Sequence, residues 1–129
     1  EYSTRLIRLI RAYYARDVTN VTPLFLIDFG GTNMRESDIE RRLVQGVKKL
    51  GGKAYKFVSP GNVGVPDRLV VLPGGVVLFV EVKAPDGRLS PNQRLQMREL
   101  TQMGAHVFVV WDAGDVDVFL QACRDRYMK

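Results

Sequence analysis

Two runs of strand-forming residues, Leu69 to Leu72 and Val76 to Val80, flank the tripeptide Pro73-Gly74-Gly75. Short apolar runs joined by a Pro-Gly-Gly turn specify a β-hairpin, and a hairpin carries its own register. If Leu72 faces Val76 across the three-residue loop, facing positions add to 148, and Asp67 with Glu81 obeys the same rule. Directly opposed residues have Cβ atoms about 5 Å apart. The acids of Val65-Pro66-Asp67-Arg68 and Glu81-Val82-Lys83 are thereby expected side by side at the open end of the hairpin. Lys83 lies two residues beyond Glu81 and shares its face. The run before Glu81 is apolar on both faces, which predicts a central strand covered on both sides.

The surroundings complete a regular pattern. Ile39, Leu43, Val47 and Leu50 recur at helical spacing from Glu36 until Gly51-Gly52 stops them. Ala54 to Val58 reads as a strand and Ser59 to Pro66 as a Gly/Pro-rich loop. Ser90-Pro91 opens a second helix, with serine as N-cap and proline in the first turn. Leu95, Leu100 and Met103 are expected on its buried side, with Gly104 ending it. Ala105 to Trp111 reads as an apolar strand and Asp115 to Tyr127 as a last helix. From Glu36 the order is αβββαβα.

Residues 1–33 differ in character. Leu6, Ile7, Leu9, Ile10, Tyr13 and Tyr14 recur at helical spacing between Arg5, Arg8 and Arg11, and Thr22 to Phe29 resembles a short strand. Met34 begins a segment that reads as self-sufficient, so 34–129 is expected to be the main domain. Residues 1–33 are then an N-terminal extension, either a native helix and strand packed on the core or on a second subunit, or an appended leader.

A chain of 129 residues suffices for one domain with a real core. Its net charge of +5 suits a polyanionic partner without demanding one. The single cysteine, Cys123, rules out an internal disulfide and a cysteine-based zinc cluster, and fits a reducing, cytoplasmic setting. No apolar stretch approaches the roughly 20 residues of a membrane span.

Two adjacent carboxylates repel unless something compensates them. A divalent cation such as Mg²⁺ does so, because it takes oxygen ligands and is commonly held by one or two carboxylates plus phosphate. Asp67, Glu81 and Lys83 therefore point to a metal-dependent phosphodiesterase site. Glu40 has two readings. Ser37-Asp38-Ile39-Glu40 matches a capping box, in which the glutamate returns to the helix start; alternatively Glu40 reaches across to the metal. Gln93 is either an ordinary first-turn residue or part of the site. No G-x-x-x-x-G-K-[ST] phosphate loop is present. His106 is the only histidine and opens an apolar strand, so it reads as structural, and chemistry needing two histidines in one subunit is excluded.

Residues 35–123 together resemble the virus-type replication-repair nuclease (VRR-NUC) family of the PD-(D/E)xK nuclease superfamily. The resemblance rests on Glu40 in Ser37-Asp38-Ile39-Glu40-Arg41-Arg42-Leu43, on Gly64-Val65-Pro66-Asp67-Arg68, on Phe79-Val80-Glu81-Val82-Lys83 and on Leu89-Ser90-Pro91-Asn92-Gln93. It implies an α/β, restriction-endonuclease-like αβββαβα core with a mixed central sheet flanked by helices. It further implies that Asp67, Glu81 and the main-chain carbonyl of Val82 bind Mg²⁺ or Mn²⁺. By the same resemblance Glu40 completes the site directly or through water, Lys83 handles the attacking water, and Gln93 supports it. Ser59 falls where related junction resolvases carry a Ser-Gly pair, but here Pro60 intervenes. The implied activity is a homodimeric DNA endonuclease of phage or bacterial type acting on Holliday junctions. The alternatives are a monomeric flap or restriction-type nuclease, and an inactive DNA-binding module. Arg41, Arg42, Lys48, Lys49, Lys53, Lys56 and Arg68 are candidate phosphate contacts.

Overall fold

The computed structural model describes residues 34–128, so the helix and strand expected within 1–33 lie outside the described residues. Helix α1 (Glu36–Lys49) leads into strands β1 (Lys53–Lys56), β2 (Arg68–Val71) and β3 (Val77–Val82). Helix α2 (Pro91–Gln102), strand β4 (His106–Val110) and helix α3 (Ala113–Ala122) follow, and Cys123–Tyr127 closes as a π-helical turn. The order αβββαβα is the one expected. The last helix starts two residues earlier than expected and changes its winding at Cys123. Its start is fixed by Asp112, whose Oδ1 accepts the Asp115 N–H at 2.8 Å, while Asp115 Oδ2 accepts the Trp111 N–H at 2.9 Å.

The helix ends obey local chemistry. At α1 the Gly52 N–H reaches Val47 O at 3.0 Å and the Gly51 N–H reaches Lys48 O at 2.9 Å. This closure satisfies the last carbonyls of a helix and needs a left-handed residue, here Gly51 at φ +86°. Gly104 does the same for α2.

The four strands are ordered β1-β2-β3-β4, antiparallel except for the parallel β3–β4 pair. A parallel pair needs a crossover, and α2 supplies it. In β2–β3, Arg68 faces Val80 and Val71 faces Val77, the register read from the turn. Even-numbered residues of β3, Leu78, Val80 and Val82, are fully buried under α1 and α3 with Ile39, Leu43, Val47 and Phe119. Phe108 and Phe119 meet edge to face at 5.1 Å. A Cβ on Gly46 of α1 would collide with the Leu120 side chain of α3, so that glycine sets how closely the two helices approach.

The opposite face is covered less completely. Leu89 and Met97 pack on Val109 and Trp111 near β4, whereas Val77 is exposed and Phe79 half-buried. The strand expected to be covered on both sides is so covered only toward its C-terminal end. The expected buried side of α2 is also corrected: Leu95 and Met103 are exposed, at 45% and 76%. One helix over a sheet edge buries a narrow stripe, and here that stripe runs through Met97.

Candidate active site

The hairpin register brings Asp67 and Glu81 together where β2 begins and β3 ends. Each acid is tied to the other's strand. The Asp67 N–H donates to Glu81 Oε1 at 3.2 Å, and the Val82 N–H donates to Asp67 Oδ2 at 3.1 Å. Glu81 is 1% exposed. Burial, followed by the neighbouring Asp67 charge, pushes its carboxyl up to about 8, with Lys83 pulling the other way. Lys83 Nζ stands 3.7 Å from Glu81 Oε2 and is itself mostly covered. It lies on the face expected for it.

Gln93 reaches Glu81 from α2. The Ser90 N–H donates to Gln93 Oε1 at 2.8 Å and the Gln93 N–H donates to Ser90 Oγ at 3.1 Å, a capping box around Pro91. That arrangement uses the amide oxygen and turns Nε2 outward, where it donates to Glu81 Oε2 at 2.8 Å. One side chain therefore both closes the first turn of α2 and contacts Glu81.

Glu40 is placed differently from the capping-box reading. Helix α1 begins two residues earlier than that box requires, with Arg35 at the N-cap and no side-chain cap. Glu40 Oε1 instead accepts Lys56 Nζ at 3.0 Å and Arg68 Nε at 2.9 Å. Burial raises the Glu40 carboxyl, but hydrogen bonds and charge from Lys56 and Arg68 outweigh it and hold the group below its ordinary value. Arg68 and Glu81 do not share a face: Arg68 faces Val80, and the residue after Val80 points the other way. Among the described residues no third His, Cys, Asp or Glu joins the two acids in a metal-holding group. In this arrangement the Glu40 carboxylate is turned to Lys56 and Arg68.

The basic residues divide. Arg42 makes a two-pronged pair with Asp117 at 3.0 and 2.8 Å, Arg41 lies 3.6 Å from Asp38, and Lys56 and Arg68 serve Glu40. Their assignment as phosphate contacts competes with these pairings. Lys48 and Lys49 are exposed at the end of α1, and Lys53 lies over the Tyr55 ring at 4.6 Å. Ser59 Oγ accepts the Asn62 side-chain amide at 2.8 Å, so it serves its own turn. His106 Nδ1 lies 3.2 Å from the Tyr127 hydroxyl, tying β4 to the C-terminal turn. Sequence reasoning did not pair Glu40 with Lys56 and Arg68; the available signal was that Lys56 and Arg68 are register partners on β1 and β2.

The donor set suits a hard divalent ion. Two carboxylates lie together, and one is buried at a cost that a cation would relieve.

Comparison with known proteins bears on the family and the fold. Residues 24–111 match the VRR-NUC domain, a span beginning ten residues ahead of Met34. "Putative nuclease p44" of Acyrthosiphon pisum secondary endosymbiont phage 1 is 49% identical over 89 residues, covering 69% of this chain and 95% of the relative. A solved VRR_NUC domain structure matches with a TM-score of 0.63 at 33% identity, covering 71% of this chain and 97% of that one. The match over 24–111, the relative and the shared fold lead to one conclusion: this chain belongs to the VRR-NUC nuclease family.

Proposed function

We propose that this protein is a metal-dependent, structure-selective DNA endonuclease that hydrolyses phosphodiester bonds, acting as a homodimer on four-way junctions. The observation that carries the reading is the Asp67–Glu81 pair with Lys83 and Gln93 on the same buried carboxylate. Asp67, Glu81 and the Val82 carbonyl are the groups to hold Mg²⁺ or Mn²⁺, with Glu40 contributing through water at most. When bound, such an ion polarises the scissile phosphate and lowers the pKa of water.

The protein's own groups do the rest. Gln93 Nε2 fixes the Glu81 carboxylate so that its direction does not change between turnovers. Lys83 Nζ, anchored beside Glu81 Oε2, orients the attacking water and offsets the negative charge that grows on the phosphate. Water oxygen bonds to phosphorus, the bond from phosphorus to the leaving sugar oxygen breaks, the water proton passes to solvent, and the leaving oxygen takes a proton from solvent to depart as a hydroxyl. Lys48, Lys49 and Lys53 are exposed and suited to backbone phosphates, giving affinity without sequence preference. Two symmetric nicks at a junction need two sites at fixed spacing, which a two-fold dimer provides.

The test is cleavage by wild type and by Asp67→Ala with Mg²⁺ or Mn²⁺, on four-way junction, flap, single-stranded and linear duplex DNA in parallel. Junction nicking that disappears in the variant supports the reading. Preference for flaps or linear duplex would favour a monomeric nuclease, and binding without cleavage would favour a DNA-binding module.

A further inference from the structure

The loop between β1 and β2 touches α2 through a glycine. Gly64 has φ +96°. A Cβ added there would stand 2.6 Å from the Asn92 carbonyl carbon, 2.7 Å from the Gln93 nitrogen and 2.8 Å from the Asn92 oxygen. All three are backbone atoms in the first turn of α2, so neither a rotamer change nor a side-chain shift relieves the contact. What lies beyond that contact gives it consequence. Gln93 has its amide oxygen committed to Ser90 and its amide nitrogen to Glu81, so it cannot follow a displaced backbone without surrendering one of them.

We propose that Gly64 is a positioning residue of the active site: its close seat against Asn92 and Gln93 sets the first turn of α2 and thereby holds Gln93 Nε2 on Glu81 Oε2. This deepens the nuclease reading above and rests on it for the kinetic part of the test. It assigns the Gly-rich loop a mechanical role in the site.

The test separates close approach from backbone strain. Gly74 has φ +94° in the hairpin turn, and nothing lies within 4 Å of a Cβ added there. Gly74→Ala therefore carries the strain of a left-handed alanine alone, whereas Gly64→Ala carries the strain and the collision. Both variants of the full chain should melt at lower temperature. Gly64→Ala should lower kcat about tenfold or more on the cleaved DNA with KM changed less than about twofold, and Gly74→Ala should leave kcat unchanged. In a Gln93→Ala background, Gly64→Ala should remove less than about threefold more, because residues acting through one link are non-additive. Losses that simply multiply would overturn the proposal.

A second readout needs no activity. The side-chain amide signals of Gln93 in a nitrogen-15 spectrum of the metal-free protein should move in Gly64→Ala and stay in place in Gly74→Ala; a stationary amide in Gly64→Ala overturns the proposal. That outcome is independent of whether the wild type cleaves DNA, whose failure would remove the nuclease reading separately. If Gly64→Ala does not fold, Gly64→Asn replaces it in every arm, since asparagine tolerates the left-handed backbone and keeps the collision.

Discussion

Glu81 and Glu40 are the same residue type put to opposite use. Burial and the Asp67 charge raise the Glu81 carboxyl to about 8, while an unfolded glutamate ionises near 4.5. Between those values the native metal-free protein holds a proton that the unfolded chain has released. The stability it contributes is complete below about 4.5 and is lost as pH rises through about 8. Thermal melts of the metal-free protein should therefore fall in midpoint from acid to alkaline pH, and Glu81→Gln, which cannot ionise, should flatten that slope. Added Mn²⁺ should restore the midpoint more at high pH than at low, because a metal competes with the proton. Glu40 is instead held ionised by Lys56 and Arg68. Glu40→Gln should cost about 1 kcal/mol or less in urea unfolding, since one partner is largely exposed, and the larger effect should be on the cleavage rate. A rate equal to wild type would confine Glu40 to holding Lys56 and Arg68 in place. The capping-box motif at Ser37 pointed elsewhere because a four-residue pattern does not show where a helix begins.

At the scale of elements, what a few neighbouring residues determine was legible. The Pro73-Gly74-Gly75 turn fixed the hairpin register and thereby the Asp67–Glu81 pairing, and Ser90-Pro91, Gly51 and Gly104 marked helix ends. What depends on a distant partner was not. The expected buried side of α2 named Leu95 and Met103, but the helix rests on β4 along Met97, and its sequence does not contain the position of that strand. Gln93 joins the two levels, since a local cap orients a side chain that serves a distant carboxylate. Ser90→Ala removes the Oγ that caps the Gln93 N–H but keeps the Ser90 N–H that holds Gln93 Oε1, so it should cost about 1 kcal/mol as a lost N-cap, seen by urea unfolding, and leave kcat within about twofold of wild type, whereas Gln93→Ala should lower kcat. A large loss of kcat in Ser90→Ala would show that Glu81 depends on the Oγ cap and not on the backbone bond to Gln93 alone.

For the whole molecule, the described core closes on residues from Met34 onward, with α1, α3 and the sheet supplying it. A chain beginning at Met34 should unfold in one cooperative transition by circular dichroism and elute without aggregation. Aggregation would mean that 1–33, including the matched residues 24–33, is integral to the fold. No helix among the described residues is long and apolar enough to cross a membrane. The αβββαβα order and the family were readable because each motif sits on an element that local pattern defines. The partners of Glu40 and the contact at Gly64 were not, because tertiary structure creates them. The proposal that the paired acids at the hairpin's open end perform phosphodiester hydrolysis is tested by the rate of junction nicking by Glu81→Ala beside wild type, with Mn²⁺ present and both proteins verified as folded. Nicking should fall by at least about a hundredfold in the variant; nicking at the wild-type rate would contradict that role for the pair.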